Sequence, residues 1–430
     1  MRYIRFIVIA SLVAALIPAS AQDFGFGDSG QEAASPAGSG DSAVRLGGSV
    51  EFAATAFPAS GYPDAPLAGL ASGTIDLSAS GSSVDAFMRL GLSERIFTES
   101  PADALDQVSV RLYSGPLIVE GGLLKINWGK ADSLGPLNVL NPLDHTDLTV
   151  TDEQELRIAR PMVRLSLDLG SNSRVELVGL PGFEGTRVDY EGRWTPTQIK
   201  TLIGMGVTTF NVPDTGTLEY AQTGARLTSN LGGIDLGMQY FYGYLPTPVI
   251  DITSLAPPNI DISYNRYHQA GFDMATVLAG FNLRAELAAN ITNDLSGDDP
   301  LVYNPHLAWS LGFDHGLFWG LSLNLQGSGT YRLADDGITS PLDIEASGDP
   351  THTRITGHLS RSFLRDKLQI ELSAIYGIED ADVMIVPSAE LAIGDGSIGL
   401  SGGWFGGDES GELGQYVDNA WIRLKMRYEF

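Results

Sequence analysis

The 430-residue chain offers six histidines and no cysteine as candidates for side-chain chemistry. Lacking Cys, it has no disulfide, thiolate metal site or Cys nucleophile. Among the histidines, only His358-Leu359-Ser360 sets a base beside a hydroxyl. Two residues apart on an extended strand, the pair shares one face, the spacing that a base and its nucleophile need. Ile355, Leu359 and Phe363 mark the opposite face as the apolar one, so His358 and Ser360 turn toward a polar interior. His145, His268, His306, His315 and His352 are scattered without metal-ligand spacing. No nucleotide-binding motif is present. No metal or other cofactor is expected, and the chain is not read as an enzyme.

The remaining chemistry lies in charge. The chain carries 26 Lys+Arg against 52 Asp+Glu, a formal net charge of −26. That balance argues against nucleic acid or anionic lipid as a main partner. The bases nevertheless fall in a regular pattern. Ala420, Ile422, Leu424, Met426, Tyr428 and Phe430 alternate with Trp421, Arg423, Lys425, Arg427 and Glu429. The same alternation marks 84–90, 163–169, 187–194, 281–287 and 368–372. A strand turns successive side chains to opposite faces, so each segment has an apolar and a charged side. A helical period would place these charges on the apolar stripe.

The elements that position the charges are therefore strands, about 9–13 residues long and long enough to cross a membrane at a tilt. Aromatic residues gather at their ends, as in Tyr240-Phe241-Tyr242-Gly243-Tyr244, Phe318-Trp319 and Trp404-Phe405. Residues 1–21 read as a secretory signal peptide. Arg2 and Arg5 precede an apolar run over 6–17, and Ala19-Ser20-Ala21 forms the cleavage site. Residues 22–44 hold four acids and no base among Gly, Ser and Ala, a flexible acidic leader. No other apolar run is long enough for a membrane helix.

Residues 45–430 then form the folded part. Short turns fall near 81, 114, 171, 196, 231, 279, 315, 365 and 395, and longer connections alternate with them. Counting 187–194 as its own strand keeps that alternation. The expectation is an all-β, transmembrane antiparallel barrel of about 20 strands (range roughly 16–20), short turns on the periplasmic side and long loops outside.

The chain stops on Phe430 directly after an alternating strand. This ending resembles the C-terminal strand of bacterial outer-membrane proteins, whose final aromatic residue is part of the signal read by the barrel-assembly machinery. The resemblance implies that Tyr428 and Phe430 carry that signal. It also implies the outer membrane of a Gram-negative-type envelope as the location, with its lipid and the assembly machinery as partners. Trp128, Gly129, Asp132, Asn141, Pro142 and Asp144 form a W-G-x-x-D…N-P-x-D segment. It resembles a family of largely uncharacterised outer-membrane barrels, which implies the same location and the uptake or export of a small or amphipathic molecule. His358-Leu359-Ser360 resembles the His-x-Ser core of outer-membrane phospholipases. Arg361-Ser362 replaces the Asn-Gly that follows there, and the pair turns away from the lipid side.

Alternation assigns Arg89, Arg111, Lys125, Arg164, Arg174, Arg193, Arg226, Arg284, Arg354, Arg423, Lys425 and Arg427 to the lumen wall. Glu51, Asp85, Asp168, Glu176, Asp189, Glu191, Glu286, Glu371 and Glu429 join them, giving a mixed, slightly basic wall. Two readings stand: the charges cross-pair and hydrate, or the bases select anionic solutes. The surplus of acid lies in the leader and in outer loops such as Asp298-Asp299, Asp335-Asp336 and Asp408-Glu409. Those carboxylates are either solvated surface or oxygen ligands for divalent cations, and no loop carries a spaced calcium motif.

The connection over 129–155 is the longest in the reading and carries Leu134, Leu137, Val139, Leu140 and Leu143. An exposed loop has no use for these residues, so the segment is expected to fold back into the barrel. Leu124, Ile126 and Trp128 before it are read as outward-facing. The narrowing would be lined by Lys130, Asp132, Asn138, Asn141, Asp144, His145 and Asp147, with a plain structural lid as the alternative. The expected function is a pore or diffusive transporter for small solutes, anionic or amphipathic ones included. The alternatives are a non-transporting surface protein or adhesin and, after it, an outer-membrane hydrolase. Oligomeric state stays open.

Overall fold

The structure is a computed structural model and describes residues 43–58, 67–93, 96, 101–131, 135–207, 209–255 and 258–430. The expected signal peptide and nearly all of the leader lie outside the described residues. Pairing begins at Ala43, slightly ahead of the expected boundary.

Eighteen strands form one antiparallel sheet in which each pairs with its neighbours in sequence. The first, Ala43–Ala56, also pairs with the last, Trp421–Glu429, and this closes a barrel. Lengths run from 8 residues in Leu117–Leu124 to 14 in Ala43–Ala56. The short turns expected near 81, 114, 171, 231, 279, 315, 365 and 395 all join neighbouring strands. At Gly232–Gly233 both residues have positive φ (63° and 91°), the backbone that a two-residue hairpin with right-handed strand twist requires.

The barrel has eighteen strands rather than about twenty, and the difference lies within 181–221. Two short extended pieces lie there, both outside the barrel wall: Arg187–Val188 pairs in parallel with Asp144–His145, and Phe210–Asn211 with Ile260–Asp261. Asp189 then accepts backbone N–H bonds from Glu191 (3.1 Å), Gly192 (2.7 Å) and Trp194 (3.0 Å), which turns the chain. Past Pro196, Thr197–Gly204 is a helix that buries Ile199 and Leu202. The barrel strands on either side, Ser173–Leu180 and Gln222–Leu231, pair directly with each other. Their edges leave no place for an inserted strand, so the alternation over 187–194 belongs to a loop.

Register carries one face around the barrel. Asp76 lies opposite Arg89, Asp85 opposite Arg111, and Glu120 between Arg111 and Arg164. The other face exposes Phe52, Val163, Leu287, Leu311, Leu400 and Ile422. The barrel is thus apolar outside and polar inside, the reverse of a water-soluble core.

At the closing seam, Phe430 N donates to Gly48 O (3.0 Å) and Gly48 N donates to Phe430 O (2.9 Å). A Cβ at Gly48 would collide with Thr74 O and with the Phe430 ring, whereas one at Gly69 would meet nothing. Gly48→Val is therefore expected to destabilise closure by about 1–3 kcal/mol and Gly69→Val to leave it intact. The measurement is the yield of compact, heat-modifiable barrel after refolding into micelles; equal yields for the two variants would refute the seam argument.

Candidate functional site

The inward face turns the charges of adjacent strands into pairs. Arg89 holds Asp76 through two hydrogen bonds (2.7 and 2.6 Å). Arg111 (3.0 Å) and Arg164 (2.5 Å) converge on Glu120, and Arg164 continues to Glu176 (3.5 Å). Lys125 meets Asp106 (3.0 Å), Arg174 meets Asp168 (2.6 Å), and Lys425 meets Glu51 (3.7 Å). Arg427 pairs with Glu429 (2.9 Å), Arg284 with Asp314, and Arg354 with Glu412 of the loop before the last strand. The alternation reading missed Asp76, Glu120, Asp235, Asp273, Asp314, Asp382 and Glu390 on this face. It also missed the bases Arg45, Arg160 and Arg332, and with all of these the wall is balanced rather than slightly basic. Neighbouring opposite charges leave little net field at a distance, so the geometry favours cross-pairing over selection of anions.

A further ion pair is fully buried. Arg226 and Asp273 are 4% and 0% exposed and meet at 2.7 Å. A guanidinium only donates, so Arg226 Nη1 fixes Gln239 Oε1 as its acceptor (2.6 Å). Gln239 Nε2 then donates to Gln269 Oε1 (2.8 Å), and Gln269 Nε2 donates to Asn290 Oδ1 (2.9 Å). Asn290 Nδ2 ends the chain on His306 Nε2 (2.8 Å), which accepts, while His306 Nδ1 donates to Asn304 O (3.3 Å). These amides also hold the long loop: Gln239 donates to Leu137 O (2.8 Å) and Gln269 to Pro136 O (3.0 Å). Beside them the Glu286 carboxylate accepts backbone N–H bonds from Lys130, Ala131 (2.7 Å) and Leu137 (3.3 Å). Gly129 (φ 101°) and Gly135 lie so close to this carboxylate that a Cβ on either would strike it.

The connection after Leu124 therefore enters the barrel and is tied to the far wall. Leu137 is 0% and Leu140 2% exposed. Leu124, Ile126 and Trp128 are buried with Leu140, Met162, Val178 and Phe241, so they face the interior rather than outward. The face is set by Glu120, whose inward position puts Gly122 and Leu124 on the same side. The segment then crosses the bore, and Thr149 and Asp147 meet Arg423 on the closing strand.

The expected constriction residues have different roles. Asn141 staples the two ends of the loop: its Oδ1 accepts from Ile126 N (2.8 Å), and its Nδ2 donates to Leu124 O and Ile158 O (both 2.8 Å). Asp144 and Asp147 each accept from a Thr two residues on, forming local turns. Lys130 contributes its backbone N–H to Glu286. Asn138 lines two cavities, of about 410 and 280 Å³, that share Pro136, Asn141 and Leu143 of the loop. His145 pairs with Val188. Asp132 and Leu134 lie outside the described residues. Arg193 leaves the wall for the loop over 181–221, with Asp189 and Glu191, and stacks on Phe57 at 3.6 Å. His358 does face the lumen, but its Nδ1 meets Ser373 Oγ (2.9 Å), not Ser360.

A second loop, 181–221, lies over the first. Arg187 N donates to Leu143 O (2.9 Å), and Arg187 bridges Asp103 (2.9 Å) and Glu184 (2.8 Å). Trp194 packs against Phe57, Phe405 and Tyr416 on the opposite wall.

Comparison with known proteins places the fold. The model of a family described as "Protein of unknown function (DUF1302)" matches residues 111–376. No curated protein matches. Among solved structures, Pseudomonas aeruginosa OccK3 (OpdO) is 10% identical with a TM-score of 0.51, covering 91% of this chain and 96% of its own. Pseudomonas aeruginosa OccK9 (OpdG) is 13% identical with a TM-score of 0.50, covering 91% and 98%. Wzi of Escherichia coli, an outer membrane protein described as a carbohydrate-binding β-barrel, is 12% identical with a TM-score of 0.50, covering 90% and 84%. At these identities the likeness is one of fold.

Two outcomes are expected of the loop anchor. Arg226→Leu strands Asp273 in the interior and should cost about 3–5 kcal/mol, while Arg226→Leu with Asp273→Leu should recover much of it. Denaturant unfolding in micelles decides; an equal loss in both would remove the ion pair from the argument. Burial pushes His145 below its ordinary 6.5, and Arg354 adds to this while Asp144 opposes it. A base favoured neutral in the folded loop contributes fully above 6.5, and that contribution is lost as pH falls below it. Protease cutting within 125–159 should therefore rise as the medium is acidified from neutrality, and less so in His145→Gln.

Proposed function

The chain belongs to the DUF1302 family of proteins of unknown function, and we propose that it is an outer-membrane barrel passing small solutes through its lumen by diffusion. The observation that carries this is the closed eighteen-strand barrel with an apolar exterior and a polar interior. A bilayer tolerates only spanning structures whose backbone groups are all paired, and a closed barrel is one of the two. In this setting the short turns face the periplasm, the long loops face outward, and Tyr428 and Phe430 at the seam serve as the assembly signal. The outer-membrane lipid and the assembly machinery are then its partners, and the chain has no enzymatic role.

Passage is restricted by the loop that Glu286 and the amide chain hold across the bore. The solutes that suit it are small, and the paired wall favours amphipathic over strongly anionic ones. A second reading, a surface protein that binds without transport, is favoured by one observation: two loops, not one, cross the lumen.

Planar-bilayer recording separates the two. The wild type should conduct in small steps, and Glu286→Ala, which removes the acceptor for three loop N–H groups, should raise the unit conductance severalfold. If both stay silent and liposomes holding the protein release no small solute, transport is wrong and the surface-protein reading takes its place.

A further inference from the structure

The larger cavity, of about 410 Å³, lies between the inward loop and the long-loop ends of the strands. It falls within the range of roughly 300–1,000 Å³ that holds small organic molecules. Leu140, Leu245 and Phe183 give it buried apolar walls. Of its charged groups Asp349 is exposed to solvent, and the arginines are already engaged. Arg160 is paired with Glu184, and Arg332 donates to Asp335 (2.6 Å), Glu345 O (3.1 Å) and Gly348 O (2.9 Å). Its amides Gln269 and Asn290 belong to the chain that runs from Arg226. Tyr303 Oη donates to Pro248 O (3.0 Å). Tyr267 is different: it lines the cavity, is 2% exposed, and its hydroxyl has no hydrogen-bond partner among the described residues.

We propose that this cavity binds a compact, uncharged, mainly apolar molecule bearing one hydroxyl or carbonyl group, which hydrogen-bonds to Tyr267 Oη. An anionic ligand entering here would be desolvated without a free counter-charge, which is costly, and the carboxylate at the rim, Asp349, would repel it. An apolar body loses only water contact, and its single polar group meets a hydroxyl that opens on the cavity and has no protein partner among the described residues. The inference deepens the transport reading and rests on it for the ligand's way in, since the cavity sits directly above the loop that restricts the bore.

The test is saturable photolabelling of the full chain in liposomes with three probes of one shape. These are a trifluoromethyl-phenyldiazirine benzyl alcohol, the corresponding toluene and the corresponding benzoate. The alcohol should label peptides covering 138–143 and 244–246, and the benzoate should need at least about tenfold more to reach the same level. Tyr267→Phe should raise the alcohol's half-saturation about 2–10-fold and leave the toluene probe unchanged, a split that general loosening of the fold would not give. Val139→Trp, which fills the cavity, should abolish labelling by both neutral probes while the barrel stays heat-modifiable. Equal labelling by the benzoate, an alcohol curve untouched by Tyr267→Phe, or labelling that survives Val139→Trp would overturn the site. Solute release from the same liposomes separates the two claims. Saturable labelling without release sinks transport and leaves the site standing, whereas release without labelling does the reverse.

Discussion

The arrangement inside this barrel depends on the buried pair of Arg226 and Asp273. A closed barrel has no free strand edge, so a loop entering the lumen cannot extend the sheet and must be held by side chains. Arg226 supplies a direction for doing so. Because it can only donate, it orients Gln239, which orients Gln269, which orients Asn290, across neighbouring strands. Each amide is left with one N–H to spend, and those of Gln239 and Gln269 go to the carbonyls of Leu137 and Pro136. Glu286 takes the complementary part by accepting the loop's N–H groups. The loop's own backbone groups are thus satisfied in a place where water is scarce, the condition under which buried polar groups stop being a liability.

Space for the loop comes from glycine. Gly224 lies against the Trp128 indole, Gly271 against Leu137, and Gly237 against the Asp273 carboxylate, each too close for a Cβ. All three are inward positions on consecutive strands, Gln222–Leu231, Ile234–Tyr244 and Arg266–Leu278. A wall with ordinary side chains there would push the loop toward the middle of the bore. The abundance of glycine in the chain thus has a local meaning: part of it is a groove cut into the wall for one segment.

Much of the barrel was legible because period-two alternation is a direct image of inside and outside. The eight hairpin turns were visible for the same reason, since the alternation stops at each. Two features were not legible. Residues 187–194 alternate, yet their neighbours in the sheet already pair with one another, and no local pattern reports who holds a strand's edge. The site was harder still. Counting charges found Arg226 and Glu286 but passed over Gln239, Gln269 and Asn290, which are polar, inward and uncharged. A reading of all polar residues on the inward face would have gathered them along Ile234–Tyr244, Arg266–Leu278 and Phe281–Thr292. Parity failed at Leu124, because it was counted from Lys125, beyond the strand, when Glu120 within the strand sets the face.

The two crossing loops are not independent. The second lies on the first through Arg187, which adds Asp144–His145 to a short parallel ladder and donates to Leu143 O. From there the second loop runs to the opposite wall, where Tyr416 Oη donates to Trp194 O (3.1 Å) and Asn419 donates to Arg193 O (2.8 Å). The first loop reaches the same side by its own route, through Thr149 and Arg423. Lifting either one breaks the ladder and exposes apolar residues that the other covers, so the cost of moving one includes part of the cost of moving both. The pairs made by Arg89, Arg111 and Arg164, by contrast, lie between adjacent strands and do not depend on either loop. The lumen is therefore divided into a rigid, charge-balanced lining and a linked pair of loops above it, and any change in the bore's width falls to the loops.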